Sequence, residues 1–215
     1  HSPDVVTFIC ILKACANTGA VDKAQHIHEQ VIINGLIEKD IMLGTAFVDT
    51  YAKCGLLLKA QQVLEDLPVR NVVSWNALIS GYAGHGQGNE ALNTFQWMQS
   101  EGCLPNDITF LCILTALGHS GLLNEAQILF TDMNIWYGGM VPNIEHHTCM
   151  IVVFGYAGHF DDAVSVIEAM PSSEDCAVWL ALLAACRKWA NVKLGRSVFD
   201  QTVQLNSSCA TAYVL

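Results

Sequence analysis

One column of residues constrains this chain more than anything else in it. A glycine is followed five positions later by an alanine at Gly19/Ala24, Gly55/Ala60, Gly86/Ala91, Gly121/Ala126 and Gly158/Ala163. The steps between these glycines are 36, 31, 35 and 37 residues. Self-similarity at such a period marks an array of small units, none of which buries its apolar face alone. Ala190 and Gly195 continue the column 32 residues after Gly158, with the two residue types exchanged. A glycine suits the tight turn that ends a helix, because the left-handed conformation there disfavours a Cβ. An alanine on the helix that follows lets two helices approach closely.

The sequence on either side of the column has helical periodicity. Upstream lie Phe8, Leu12 and Cys15; Phe47, Val48 and Tyr51; Trp75, Leu78, Ile79 and Tyr82; Phe110, Ile113 and Leu114; and Met150, Val153 and Phe154. Downstream, Ala91, Leu92, Phe95 and Met98 show the same pattern. Spacings of three and four place such residues on one helical face. Pro68, Pro105, Pro142 and Pro171 follow the second helices, where a helix must stop. The expectation is an all-α stack of helix-turn-helix repeats over 5–40, 41–71, 72–106, 107–143, 144–175 and 176–209, with a further helix starting in 210–215. The chain opens within a repeat pattern, so we expect a piece of a longer array, with exposed end faces prone to self-association.

Composition narrows the function classes. With 52% hydrophobic and 14% charged residues the chain is not disordered. No run reaches the ~18 apolar residues of a membrane span, and no leader is visible. Nine cysteines (10, 15, 54, 103, 112, 149, 176, 186 and 209) include no C-x-x-C pair, which argues for free thiols in a reducing compartment. Net charge is −10, and Lys and Arg are absent from Asn71 through Cys186. That balance disfavours a nucleic-acid partner.

Specific phrases then point to a family. "NVVSWNALISGYAGHGQGNEALNTFQWMQSEGCLPN" (Asn71–Asn106) resembles the standard pentatricopeptide repeat of plant organelle proteins. "TFICILKACANTGAVDKAQHIHEQVIINGL" and "DITFLCILTALGHSGLLNEAQILFTDM" resemble its long variant. "TAFVDTYAKCGLLLKAQQVLEDLPVRN" and "IEHHTCMIVVFGYAGHFDDAVSVIEAMP" resemble its short variant. "VWLALLAACRKWANVKLG" resembles the extension motif that follows a final short repeat. The order is therefore long (5–40), short (41–71), standard (72–106), long (107–143), short (144–175) and extension (176–209), covering nearly the whole chain. That order resembles the PLS subfamily with a C-terminal extension (E) motif. It implies a right-handed α-solenoid, located in chloroplast or mitochondrion, that recognises single-stranded RNA for C-to-U editing.

The resemblance assigns residues. Family members read one base per repeat, through the fifth residue of the first helix and the last residue of the repeat. Carried over, Thr45 and Asn71 imply adenine, Asn76 and Asn106 a pyrimidine, and Thr148 and Asp175 a weak preference for guanine. The pairs Ile9/Asp40 and Leu111/Asn143 begin with apolar residues that cannot bond a base edge, so those repeats act as spacers. Val6, Val73 and Ile108, near the second helical position, are placed to wedge between bases. Against this stand two blander readings: Thr and Asn near helix starts are commonly caps, and Val and Ile are commonly core. The chain departs from the family at Gly155-Tyr156-Ala157-Gly158-His159, where a basic residue is usual, and at Leu117-Gly118-His119-Ser120, where a Cys-Ser-His run is usual. Both departures lower the expected RNA affinity.

No catalysis is expected. A zinc deaminase needs H-x-E and P-C-x-x-C, and neither pattern occurs. No cofactor is implied, and the scatter of His26, His28, His85, His119, His146, His147 and His159 suggests no metal site. Partners implied by the resemblance are organellar RNA and accessory editing proteins or a deaminase-bearing protein. The alternative function is a protein-interaction scaffold, since helix-pair stacks present long concave surfaces.

Overall fold

The computed structural model describes residues 4–36, 40–136, 140–170, 175–205 and 210–214, the side chains of 134–136 excepted. Pro171 and Cys209 lie outside the described residues. Within them the chain is all-α, with thirteen helices and no strand. They are α1 (Val5–Thr18), α2 (Val21–Ile33), α3 (Ile41–Lys53), α4 (Leu57–Asp66), α5 (Val72–Gly84), α6 (Gly88–Ser100), α7 (Asp107–His119), α8 (Leu123–Trp136), α9 (Ile144–Ala157), α10 (Phe160–Glu168), α11 (Cys176–Lys188), α12 (Val192–Leu205) and α13 (Ala210–Val214). The fold expectation of stacked helix-turn-helix pairs is met.

One turn joins the two helices in each of the six pairs. The amide two or three residues past the helix end donates to a carbonyl five residues back: Ala20 to Cys15, Leu56 to Tyr51, Gln87 to Tyr82, Leu122 to Leu117, His159 to Phe154 and Asn191 to Cys186, all at 2.9–3.0 Å. This closure needs a left-handed residue at the turn. Glycine supplies it five times, with φ between 66° and 84°, and Ala190 supplies it at φ 52°. Ala24, Ala60, Ala91, Ala126 and Ala163 of the column are all fully buried. Gly195 holds their place in the sixth pair, its amide bonding the Asn191 carbonyl as theirs bond the matching residue of their own turns.

The two helices of a pair begin differently. First helices are capped by side chains. Asp4, Asp40, Asn71, Asn143 and Asp175 each accept from backbone amides at the start of α1, α3, α5, α9 and α11. Each cap satisfies amides that the helix cannot pair internally. The second helices α2, α4, α6 and α10 have no side-chain cap and start directly from the closed turn.

The chain divides into two compact units, residues 1–116 and 117–215. In the first, α3 packs on α1, α4 and α5, and α5 on α6. Its core includes Leu12, Leu43, Phe47, Tyr51, Trp75, Leu78, Ile79 and Met98, all buried. Each such side chain contributes roughly 1.5–3 kcal/mol by leaving water. Gly81 lets α5 lie against Ala52 of α3 with no room for a Cβ. Arg70 ties the ends of α4 and α6 together. Its guanidinium donates to Glu101 at 2.9 and 3.0 Å and to the Glu65 carbonyl at 2.9 Å. It also lies 5.7 Å from the Trp97 ring.

In the second unit α9 packs on α8, α10 and α11, while α12 and α13 pack on α11. Gly118 of α7 sits against Val153, and a Cβ on Gly155 would meet that of Ala185 at 2.7 Å. Trp189 and Lys188 donate to the Tyr156 carbonyl at 3.2 and 3.0 Å, holding the α11 end over the preceding turn. No helix among the described residues is long and apolar enough to cross a membrane.

Candidate nucleic-acid interface

The start of each first helix carries the residues singled out by sequence, so the site is built from the cap outward. The second residue of such a helix points away from the pair's own core. Val6 is 66% exposed, Val73 58% and Ile108 57%. The core reading of these three is therefore overturned: they are apolar residues held in solvent. Met42, the second residue of α3, is 67% exposed and belongs with them. Register alone identifies Met42, since it stands at the same step from its helix start as the other three.

The closing residue of each repeat caps the next first helix. Asn71 accepts the amides of Val73 and Ser74, both at 3.0 Å. Asp40 caps α3 through Met42 at 2.8 Å, Asn143 caps α9 through Glu145 at 3.0 Å, and Asp175 caps α11 through Ala177 at 2.8 Å. Asn106 accepts the Thr109 amide at 3.0 Å. The capping role weighed in the sequence is thus real at every one of them. A capping amide oxygen is engaged with the backbone, and the Asn nitrogen remains as the donor such a residue can offer outward.

The fifth residues differ from one another. Asn76 is only 7% exposed. Its amide nitrogen donates to Asn106 at 3.1 Å and its oxygen accepts from the Thr109 hydroxyl at 2.7 Å. This is the one proposed pair of readers joined by a hydrogen bond among the described residues. Thr45 is half-buried, and its hydroxyl is enclosed with no hydrogen-bond partner among the described residues. Buried polar atoms are rarely left so. Thr148 donates back to the Ile144 carbonyl of its own helix at 2.8 Å. Ile9 and Leu111 are partly buried apolar residues at the matching steps of α1 and α7.

Histidine chemistry lies elsewhere. The His28 ring lies tilted against Phe47 at 4.5 Å between ring centroids and shares a 3.0 Å hydrogen bond with the Tyr51 hydroxyl. Burial, then the nearby Lys59 charge, holds its pKa below the ordinary imidazole range. Burial, reinforced by Glu29, pushes the Tyr51 phenol up to about 12. His146 and His147 are buried beside Asn143, and His147 meets Phe130 edge-on at 5.2 Å. Among the described residues no group of three or more His, Cys, Asp or Glu could hold a metal ion.

Comparison with known proteins gives consistent matches. The family model described as "PPR repeat family" matches residues 70–119, and the model "PPR repeat" matches 108–134 and 145–174. A pentatricopeptide repeat-containing protein of Arabidopsis thaliana is 39% identical over 214 residues, which are 100% of this chain and 27% of that protein. A second from the same plant, described as chloroplastic, is 35% identical over 99% of this chain and 24% of its own length. The chain thus spans about a quarter of the length of these relatives. The crystal structure of pentatricopeptide repeat protein PPR10 in complex with an 18-nucleotide psaJ RNA element has a TM-score of 0.77 at 19% identity. That match covers 95% of this chain and 30% of the other.

Proposed function

This chain belongs to the pentatricopeptide repeat family, and from that premise we propose that it recognises single-stranded RNA, one base per repeat. The observation that carries this reading is the Asn76–Asn106 pair. Two amides joined at 3.1 Å stand at adjacent helix starts, beside the exposed Val73 and Ile108. A flat base fits between two outward apolar side chains while its edge meets the amides below. Thr45 with Asn71, and Thr148 with Asp175, occupy the same two register positions in their repeats with different polar groups, without a hydrogen bond between them among the described residues. Ile9 with Asp40 and Leu111 with Asn143 have no polar fifth residue and act as spacers.

The long, short and standard order of the repeats, with an extension motif over 176–209, supports a finer assignment. The chain is the site-recognition part of an organellar C-to-U editing factor of the PLS type, which binds RNA and leaves deamination to an appended or recruited domain. The chloroplastic relative supports an organellar location, chloroplast or mitochondrion. The test is selection of the full-length protein on a randomised RNA pool at one stated salt. Enrichment of an A-pyrimidine-any-G register, displaced by Thr45→Asn or Asn76→Thr, is the expected result. No enrichment, or enrichment indifferent to both changes, overturns the proposal. It would favour the second reading, a protein scaffold, which the absence of Lys and Arg between Asn71 and Cys186 supports.

A further inference from the structure

We propose that Thr109 is a positioning residue for base choice: it fixes which atoms the Asn76–Asn106 pair turns outward, so that the pair offers hydrogen-bond donors. The inference rests on the RNA reading above and deepens it. Carboxamides are nearly symmetric, and a pair of them could be oriented either way by rotation about χ2. Here the ambiguity is broken from one end. The Thr109 backbone N–H lies 3.0 Å from Asn106 and can only donate, so the Asn106 atom facing it is oxygen. That oxygen also faces Asn76 at 3.1 Å, so the Asn76 atom there is nitrogen. The remaining Asn76 atom is then oxygen, and it meets the Thr109 hydroxyl at 2.7 Å in a buried contact. The hydroxyl also accepts the Asn106 backbone N–H at 3.1 Å and lies 2.9 Å from the Asn106 oxygen, so its one proton is shared between two amide oxygens, the Asn76 oxygen being the nearer.

Thr109 therefore holds both amides through one backbone and one side-chain group. Both Asn106 oxygen sites are engaged, and the Asn76 oxygen is tied to a buried hydroxyl. What remains to face a ligand is the Asn106 amino group and the second Asn76 N–H. A donor face matches the O2 and N3 of cytosine or the O2 and O4 of uracil. It rejects the N1–H and N2–H of guanine, which present donors to donors. The neighbouring repeat lacks this device. Ser74, at the same step as Thr109, donates its hydroxyl to the Asn71 carbonyl at 2.8 Å, and Thr45 stays unjoined to Asn71.

The experiment compares the full-length wild type with Thr109→Val and Thr109→Ser. Dissociation constants are measured for four RNAs differing only at the nucleotide assigned to Asn76 and Asn106. Wild type is expected to prefer U or C over G. Thr109→Val is expected to lower that ratio about tenfold, the factor set by about 1.4 kcal/mol, and Thr109→Ser to restore it. A merely structural role moves all four constants together and leaves the ratio intact. Wild-type preference with an unchanged ratio in Thr109→Val overturns this inference alone. A wild type without base preference anywhere overturns the RNA reading and this inference with it. Should Thr109→Val not fold, side-chain amide NMR of the wild type decides. Slow rotation and exchange of the Asn76 amide protons support the lock, and free-amide behaviour overturns it.

Discussion

Restoring the column in the sixth pair, with Ala190→Gly and Gly195→Ala together, should stabilise the second unit. At φ 52° Ala190 stands in the left-handed region, where an L side chain costs about 1–2 kcal/mol. Glycine removes that cost but brings about 0.5–1 kcal/mol of unfolded-chain freedom, leaving a net gain of about 0.5–1 kcal/mol. Gly195 lies inside α12, and a Cβ there would meet that of Cys186 at 3.5 Å, an ordinary contact. Alanine at that position gains a further ~0.5–1 kcal/mol. The double variant is thus expected to gain about 1–2 kcal/mol, or roughly 4–16 °C in Tm if the unit melts cooperatively. Gly158→Ala is the mirror control. The same turn at φ 84° has an ordinary 3.5 Å space against the Trp189 ring, so its loss of about 1 kcal/mol comes from the backbone alone. Urea denaturation, with hydrogen exchange at the Asn191 amide as the local reporter, measures both variants against wild type. A double variant no more stable than wild type, or a Gly158→Ala that is neutral, refutes the reasoning.

Arg70→Met should destabilise the first unit by about 1–2 kcal/mol, since it leaves the last carbonyls of α4 without their side-chain donor and the Glu101 carboxylate with the Trp97 indole N–H alone. Arg70 holds the Glu101 pKa down. Its contribution is therefore full above the ordinary carboxylate range, fades as pH falls through the lowered value, and should vanish from the acid limb of urea midpoints in the variant. His28 has a lowered folded pKa, so its contribution is present above about pH 6.5 and lost as pH falls through the folded value. Wild type should lose stability on mild acidification, and His28→Gln should show a flatter profile over the same range. Val73→Asp, at a solvent-held position, should leave Tm within about 1 °C and weaken RNA binding about tenfold in a titration, as loss of one stacking contact implies.

The helical architecture was legible because its signals are local. A glycine at a fixed step, apolar residues three and four apart, and prolines beyond the second helices each report on a few neighbouring residues. The exposure of Val6, Val73 and Ile108 was less legible, because composition makes a valine or isoleucine look like core. Only their shared register, which also includes Met42, argues otherwise. The Thr109 contact spans 33 positions and the Arg70–Glu101 pair spans 31, so neither is visible as a spacing within one helix. The caps at Asn71, Asn143 and Asp175 could be read from sequence as caps or as base readers, and the geometry gives them the first role while leaving the second open.

That double position restricts how the array can be rewritten. Asp40, Asn71, Asn106, Asn143 and Asp175 each hold a helix start. Replacing a good cap by alanine costs about 0.5–2 kcal/mol, while exchange among Asn, Asp and Ser is nearly neutral. The closing letter of every repeat is thus drawn from a small alphabet set by folding, and mutation can move freely only within it. The fifth position carries no such duty and admits Ile9, Thr45, Asn76, Leu111 and Thr148 in one chain. A designer or a lineage changing what this array binds has a wide vocabulary at one site and a narrow, fold-safe one at the other.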